Sequence, residues 1–171
     1  LLGREGAGKT TLISKICNKK GKTDLRGEFL STNGIQLTQW SPISGKKQSK
    51  LSQSESQGDD EDISFTFWDF AGQTIFHPTH HLFLTQRCIY FVVLNCDAFF
   101  HPDGEEEKRV IFWIRLVRTA TDPLIRPPLF IIGTHASSCT QEQLLSIQTK
   151  LRIPLISSNF PTNTFIYVEM Q

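Results

Sequence analysis

The chain has no paired cysteine spacing, no long apolar run and no excess of either charge. Cys17, Cys88, Cys96 and Cys139 are scattered without a C-x-x-C, so they are expected to be reduced and mostly buried, as in an intracellular protein. Lys and Arg number 18 against 17 Asp and Glu, and the formal net charge of +1 offers no electrostatic case for nucleic acid or an anionic membrane surface. No stretch is long and apolar enough to span a bilayer, and no signal peptide is visible. There are no internal repeats. His77, His80 and His81 cluster, but Pro78 interrupts them and no Cys joins, so the usual zinc-ligand spacing is missing. The 171 residues suffice for one domain with a real core, spanning 1–171. The chain begins two residues before a glycine-rich loop and ends just after a strand-like run, so it is expected to be a fragment.

That opening loop is the strongest local signal. Gly3-Arg4-Glu5-Gly6-Ala7-Gly8-Lys9-Thr10 fits G-x-x-x-x-G-K-[ST], with Leu1-Leu2 where a feeding strand should stand. Glycines let successive backbone N–H groups turn inward around a polyphosphate. Lys9 can reach β- and γ-phosphates, and the Thr10 hydroxyl can ligate Mg²⁺. Thr10 to about Lys19 reads as a helix with Leu12, Ile13, Ile16 and Cys17 on one face, and its N-terminal dipole also favours phosphate.

After a polar loop, Gln36 to Trp40 alternates as a half-buried strand. Residues 44–62 are almost free of apolar side chains and are expected to be a disordered insertion inside a hairpin. The hairpin's second strand is Ile63 to Asp69. Cys88 to Asn95 and Leu129 to Gly133 are continuous apolar runs, the mark of strands covered on both faces. Between them Glu105-Glu106-Glu107 opens a helix carrying Val110, Ile111, Ile114 and Val117, with Trp113 packed inside; Pro123, Pro127 and Pro128 end it. Phe99 and Phe100 are expected to pack against that helix. Thr140 is a candidate N-cap for a helix through Leu151, and Thr164 to Glu169 reads as the last strand. Strands alternating with helices predict an α/β three-layer sandwich around a six-stranded, mostly parallel sheet with one antiparallel hairpin. Ligands of such sheets sit at the C-terminal ends of the strands.

Trp68-Asp69-Phe70-Ala71-Gly72-Gln73 falls at one of those ends. Asp69 can hold a metal-bound water, Gly72 can offer its N–H to a γ-phosphate, and Gln73 can orient a water for in-line attack.

Asp-x-Ala-Gly-Gln after a phosphate loop resembles a Ras-like GTPase. Trp68 to Gly72, followed by Thr79-His80-His81-Leu82-Phe83-Leu84-Thr85-Gln86-Arg87, resembles the Roc domain of the Roco proteins, over nearly the whole chain from Gly3 to Glu169. Thr32-x-Gly34-Ile35, with Trp40 and Pro42, is similar to that group's first switch, which makes Thr32 a further Mg²⁺ ligand. Gly133-Thr134-His135 is similar to its Thr-His-x-Asp guanine-reading motif. The resemblance implies a site in which residues 3–11 (Gly3, Arg4, Glu5, Gly6, Ala7, Gly8, Lys9, Thr10 and Thr11), Thr32, Asp69, Gly72, Thr134, His135 and Ser137 hold GTP or GDP. Within it Thr10, Thr32 and Asp69 serve Mg²⁺, and Lys9, Gly72 and Gln73 serve the reaction. One position departs from the motif. Ser137 replaces the carboxylate that accepts from guanine N1–H and N2–H₂, a loss expected to lower affinity on the order of 10²-fold and to relax discrimination against adenine.

The expected function is a slowly hydrolysing, GTP-binding switch within a larger cytoplasmic signalling protein, with its last helix outside this fragment. A dimerising COR-type neighbouring domain is implied by the resemblance. The first alternative is a non-catalytic scaffold, with Ser137 in its favour and Thr32, Asp69 and Gln73 against it. A phosphate-loop metabolite kinase is disfavoured by the Asp-x-Ala-Gly-Gln signature and the lack of an Arg-rich lid.

Overall fold

A computed structural model describes residues 1–17, 34–41, 64–73, 81–122, 124, 127–158, 160, 161 and 165–168. The expected insertion at 44–62, the switch threonine Thr32, and His77, His80 and Glu169 lie outside them.

The elements follow the sequence in the expected alternation: α1 (Lys9–Cys17), β1 (Ile35–Trp40), β2 (Phe65–Phe70), β3 (Tyr90–Asn95), α2 (Glu105–Ala120), β4 (Leu129–Thr134), α3 (Gln141–Ser157) and β5 (Phe165–Tyr167). β1 and β2 form the antiparallel hairpin, from Ile35 opposite Phe70 to Trp40 opposite Phe65. β3, β4 and β5 are parallel neighbours in that order.

Leu1 and Leu2 join the two ladders. The Leu1 amino group donates to Trp68 O at 2.6 Å and Phe70 N–H donates to Leu1 O at 3.3 Å, a parallel pattern on β2. On the other side Leu2 N–H donates to Phe91 O at 2.8 Å and Val93 N–H donates to Leu2 O at 2.7 Å. The expected sixth strand is therefore a single parallel bridge, Leu2 to Val92, among the described residues.

The period of two in the buried strands sorts the core into two layers. Val92, Leu94 and Ile131 face Val110, Trp113, Ile114 and Val117 of α2 and Ile147, Leu151 and Leu155 of α3. Val93 and Ile132 point the other way, onto Leu12 and Ile13 of α1. Helices on both faces of the sheet make the three-layer sandwich. Trp113 is buried as expected, and Phe99 is buried with Phe100 packed beside it.

Two details differ from the expectations. α3 runs to Ser157, past Leu151 and through Pro154, because Pro154 and Leu155 are themselves buried and the tertiary contact outweighs the proline's weak helix propensity. The cysteines are free, but only Cys96 is buried; Cys17, Cys88 and Cys139 are partly exposed, since each falls beside rather than inside a packed stripe.

Candidate functional site

The turn between Leu2 and α1 is built by its backbone. Ala7 N–H donates to Arg4 O at 3.2 Å and Leu12 N–H to Gly8 O at 2.9 Å, so the loop closes on itself and runs straight into the helix. Gly3 has φ 147°, and a Cβ there would strike the Val93 carbonyl. Glycine is what lets the loop leave the sheet this close to β3.

Lys9 folds back over the loop. Its Nζ donates to Gly3 O at 2.9 Å and Arg4 O at 2.8 Å. It is only 6% exposed, and burial pushes its pKa down to about 8, against the opposing pull of Asp69, Glu106 and Glu5. The ammonium is thus held on the loop by two carbonyls, poised over the backbone that would wrap an anion.

Asp69, nearly at the end of β2, is 1% exposed, and Thr10 donates its hydroxyl to the Asp69 carboxylate. Both oxygens are hard donors, which suits Mg²⁺ far better than a softer metal. Thr32 could not be placed with them, since it lies outside the described residues. Gly72 backs directly onto the loop: a Cβ on it would collide with the Arg4–Glu5 backbone. Gln73 follows, half-buried. The structure therefore brings Gly72 and Asp69 to the loop from opposite ends of one turn. The neighbouring Leu82 and Phe83 are 69% and 42% exposed, with Phe83 6.1 Å from Trp68 between ring centres.

The third group comes from the end of β4. The buried Thr134 hydroxyl lies 3.0 Å from both Ala7 O and Leu94 O, tying the glycine-rich loop to two strand ends. His135 Nδ1 is 3.1 Å from that same hydroxyl, and His135 adopts φ 55°, which turns the ring outward into solvent. Ser137 is exposed in the short turn Ala136–Ser138 that follows. Thr134 and His135 thus adjoin the loop, and Ser137 stands two residues beyond on the solvent side.

Two residues of this region escaped the sequence reading. Thr134 is expected from the sequence to contact the base; what the structure shows is its hydroxyl clamping the loop. Glu106 was read only as helix-start acid; it is 1% exposed, accepts from Asn95 N–H at 2.8 Å, and has Arg4 3.7 Å away. Burial raises its pKa, against the Asn95 N–H and the charges of Arg4, Arg109 and Lys9. The signal was available. Glu106, Val110, Trp113, Ile114 and Val117 share one helical face, so an acid sits on the core stripe.

Loop, buried lysine, Thr–Asp pair and strand order together define a Ras-like phosphate-loop fold. Residues 1–137 match the family model described as Roc, Ras of Complex, Roc, domain of DAPkinase. The chain belongs to the Roc family. It is 36% identical over 139 residues to the probable serine/threonine-protein kinase pats1 of Dictyostelium discoideum, covering 79% of this chain and 4% of that protein. It is 31% identical over 159 residues to the probable serine/threonine-protein kinase roco11 of the same organism, covering 88% of this chain and 9% of the relative. The chain therefore spans a small part of either relative. Among solved structures it is similar to Methanosarcina barkeri Roco2 RocCORdC bound to GDP, with TM-score 0.56 and 21% identity over 98% of this chain and 41% of that one.

Proposed function

We propose that this chain is a guanine-nucleotide switch domain that binds GTP and GDP with Mg²⁺ and hydrolyses GTP slowly, within a larger, multidomain cytoplasmic signalling protein. The observation that carries the reading is the contact between Thr10 and Asp69, which are 59 positions apart, beside a loop that already holds Lys9 over its carbonyls. Membership of the Roc family and likeness to a GDP-bound RocCOR structure support the guanine nucleotide and a COR-type neighbouring domain through which the chain would dimerise.

In this reading the N–H groups of residues 4–10 and the Lys9 ammonium bind the β- and γ-phosphates. Thr10, Thr32 and Asp69 would hold Mg²⁺, which would neutralise charge on the phosphate oxygens. Gly72 donates its N–H toward the γ-phosphate and Gln73 orients the attacking water. Thr134 and His135 flank the base, and Ser137 contributes a single hydroxyl where a carboxylate would give two charge-assisted bonds.

The test is a titration with fluorescent GTP, GDP and ATP, with and without Mg²⁺, followed by phosphate release. Mg²⁺-dependent GTP binding that Lys9→Ala abolishes, and slow release that Gln73→Leu suppresses, are the expected results. ATP binding as tight as GTP would show that Ser137 has removed base discrimination. The exposed Ser137 favours a second reading, a nucleotide-holding scaffold without turnover; GTP bound with no phosphate released would select it. No nucleotide bound at all would end the switch reading.

A further inference from the structure

Among the described residues the buried acidic side chains are Asp69 and Glu106. Asp69 has a role in the proposed site. Glu106 has none, yet its position is unusual for a carboxylate. One oxygen accepts from Asn95 N–H at the end of β3, and the other, Oε2, is buried without a hydrogen bond. Among the described residues the cation paired with Oε2 is Arg4, at 3.7 Å, longer than a hydrogen bond and 44% exposed. A long contact to a half-solvated guanidinium does not return the cost of desolvating a carboxylate. Glu106 is therefore a poor contributor to stability. What it does is place a fixed negative charge against the second residue of the phosphate loop, joining that loop to the first turn of α2 and to the end of β3.

We propose that Glu106 is a positioning residue of the phosphate loop, holding Arg4 and with it the outer edge of the loop against the start of α2. The proposal rests on the reading of that loop as the nucleotide site. Three pieces of geometry carry it: the buried oxygen facing Arg4, the anchoring of the other oxygen on Asn95, and the Arg4 carbonyl, which accepts from both Lys9 Nζ and Ala7 N–H. Moving Arg4 moves an acceptor shared by the lysine and the loop's own turn. The pair also keeps the charge behind the loop balanced. With Arg4 removed, Glu106 becomes an uncompensated anion next to an anion-binding loop.

The arrangement predicts a sign pattern that a packing role does not. Glu106→Gln keeps the acceptor for Asn95 and removes the charge. It is expected to leave the melting temperature of the nucleotide-free protein unchanged or higher, while speeding amide exchange of residues 3–10 and release of fluorescent GDP, each about tenfold. Arg4→Gln is expected to weaken GDP binding more than Glu106→Gln does, because the bare carboxylate repels phosphate. Adding Glu106→Gln to Arg4→Gln is then expected to recover part of that loss. The proposal is overturned if the two substitutions add independently, if GDP release in Glu106→Gln equals the parent's, or if its effects track a fall in melting temperature. Should the parent bind no guanine nucleotide, the function proposed above fails. The exchange of residues 3–10 in the nucleotide-free protein still decides the pair: acceleration by Glu106→Gln at constant melting temperature supports it, and unchanged exchange sinks it.

Discussion

Cys96 shows how far a single environment moves a residue from its sequence average. It follows β3, is fully buried, and burial together with neighbouring Cys139 and Glu106 pushes its thiol up to about 12. Below the ordinary thiol value of 9.0 both folded and unfolded thiols are neutral, and Cys96 adds no pH dependence. Between about 9 and about 12 the unfolded thiol ionises and the folded one does not, so stability falls as pH rises through that window. Iodoacetamide treatment of the folded protein near pH 9, read by mass spectrometry, is expected to modify Cys88 and Cys139 and to spare Cys96; Cys96 labelled at an equal rate would contradict its burial. Nothing in the sequence separates these thiols, because burial is set by which strand register and which neighbours each one meets. Ser137 is the opposite case, where the missing carboxylate was visible in the sequence and the structure adds only its exposed position.

At the scale of elements, α3 is bounded by local chemistry and extended by distant packing. Thr140 Oγ1 accepts from Gln143 N–H at 3.2 Å while Gln143 Oε1 accepts from Thr140 N–H at 2.8 Å, a complete capping box. Thr140→Ala is expected to destabilise the protein by about 1 kcal/mol, measured as a shift in the denaturation midpoint with unchanged slope. A shift beyond about 2 kcal/mol would mean that the residue does more than cap. The start of this helix could be read from Thr140 alone. Its end could not, because Pro154 argues locally for an earlier stop and only the burial of Leu155 carries the helix onward. α2 gives the same lesson in reverse: its apolar stripe was plain, and the acid on that stripe was absorbed into the rule for helix starts.

For the whole molecule, the described connection that matters is Thr134, whose hydroxyl spans from β4 to the phosphate loop 127 positions away and to Leu94 of β3. Thr134→Val keeps the shape and removes the single hydroxyl proton that lies between the Ala7 and Leu94 carbonyls. We expect a loss of about 1–3 kcal/mol in stability. Weaker nucleotide binding should accompany it, because the loop loses its tie to the sheet. Calorimetric melting and the fluorescent titration measure the two effects separately. A stable variant with parent affinity would show that the loop's own turn is sufficient.

The phosphate loop, the Asp69–Gln73 turn, the alternation of elements and the likeness to the Roc family were legible in the residues, because each rests on short-range rules: glycine at positive φ, periods of two and of 3.6, caps. Tertiary structure alone decided that Leu1 and Leu2 knit two ladders into one layer, and that Thr134 clamps the loop. It also decided that Lys9 loses its water and that Glu106 faces Arg4 across the loop's edge. These are contacts between residues distant in sequence, and their energies depend on burial and distance, quantities that exist only once the sheet has closed around its helices.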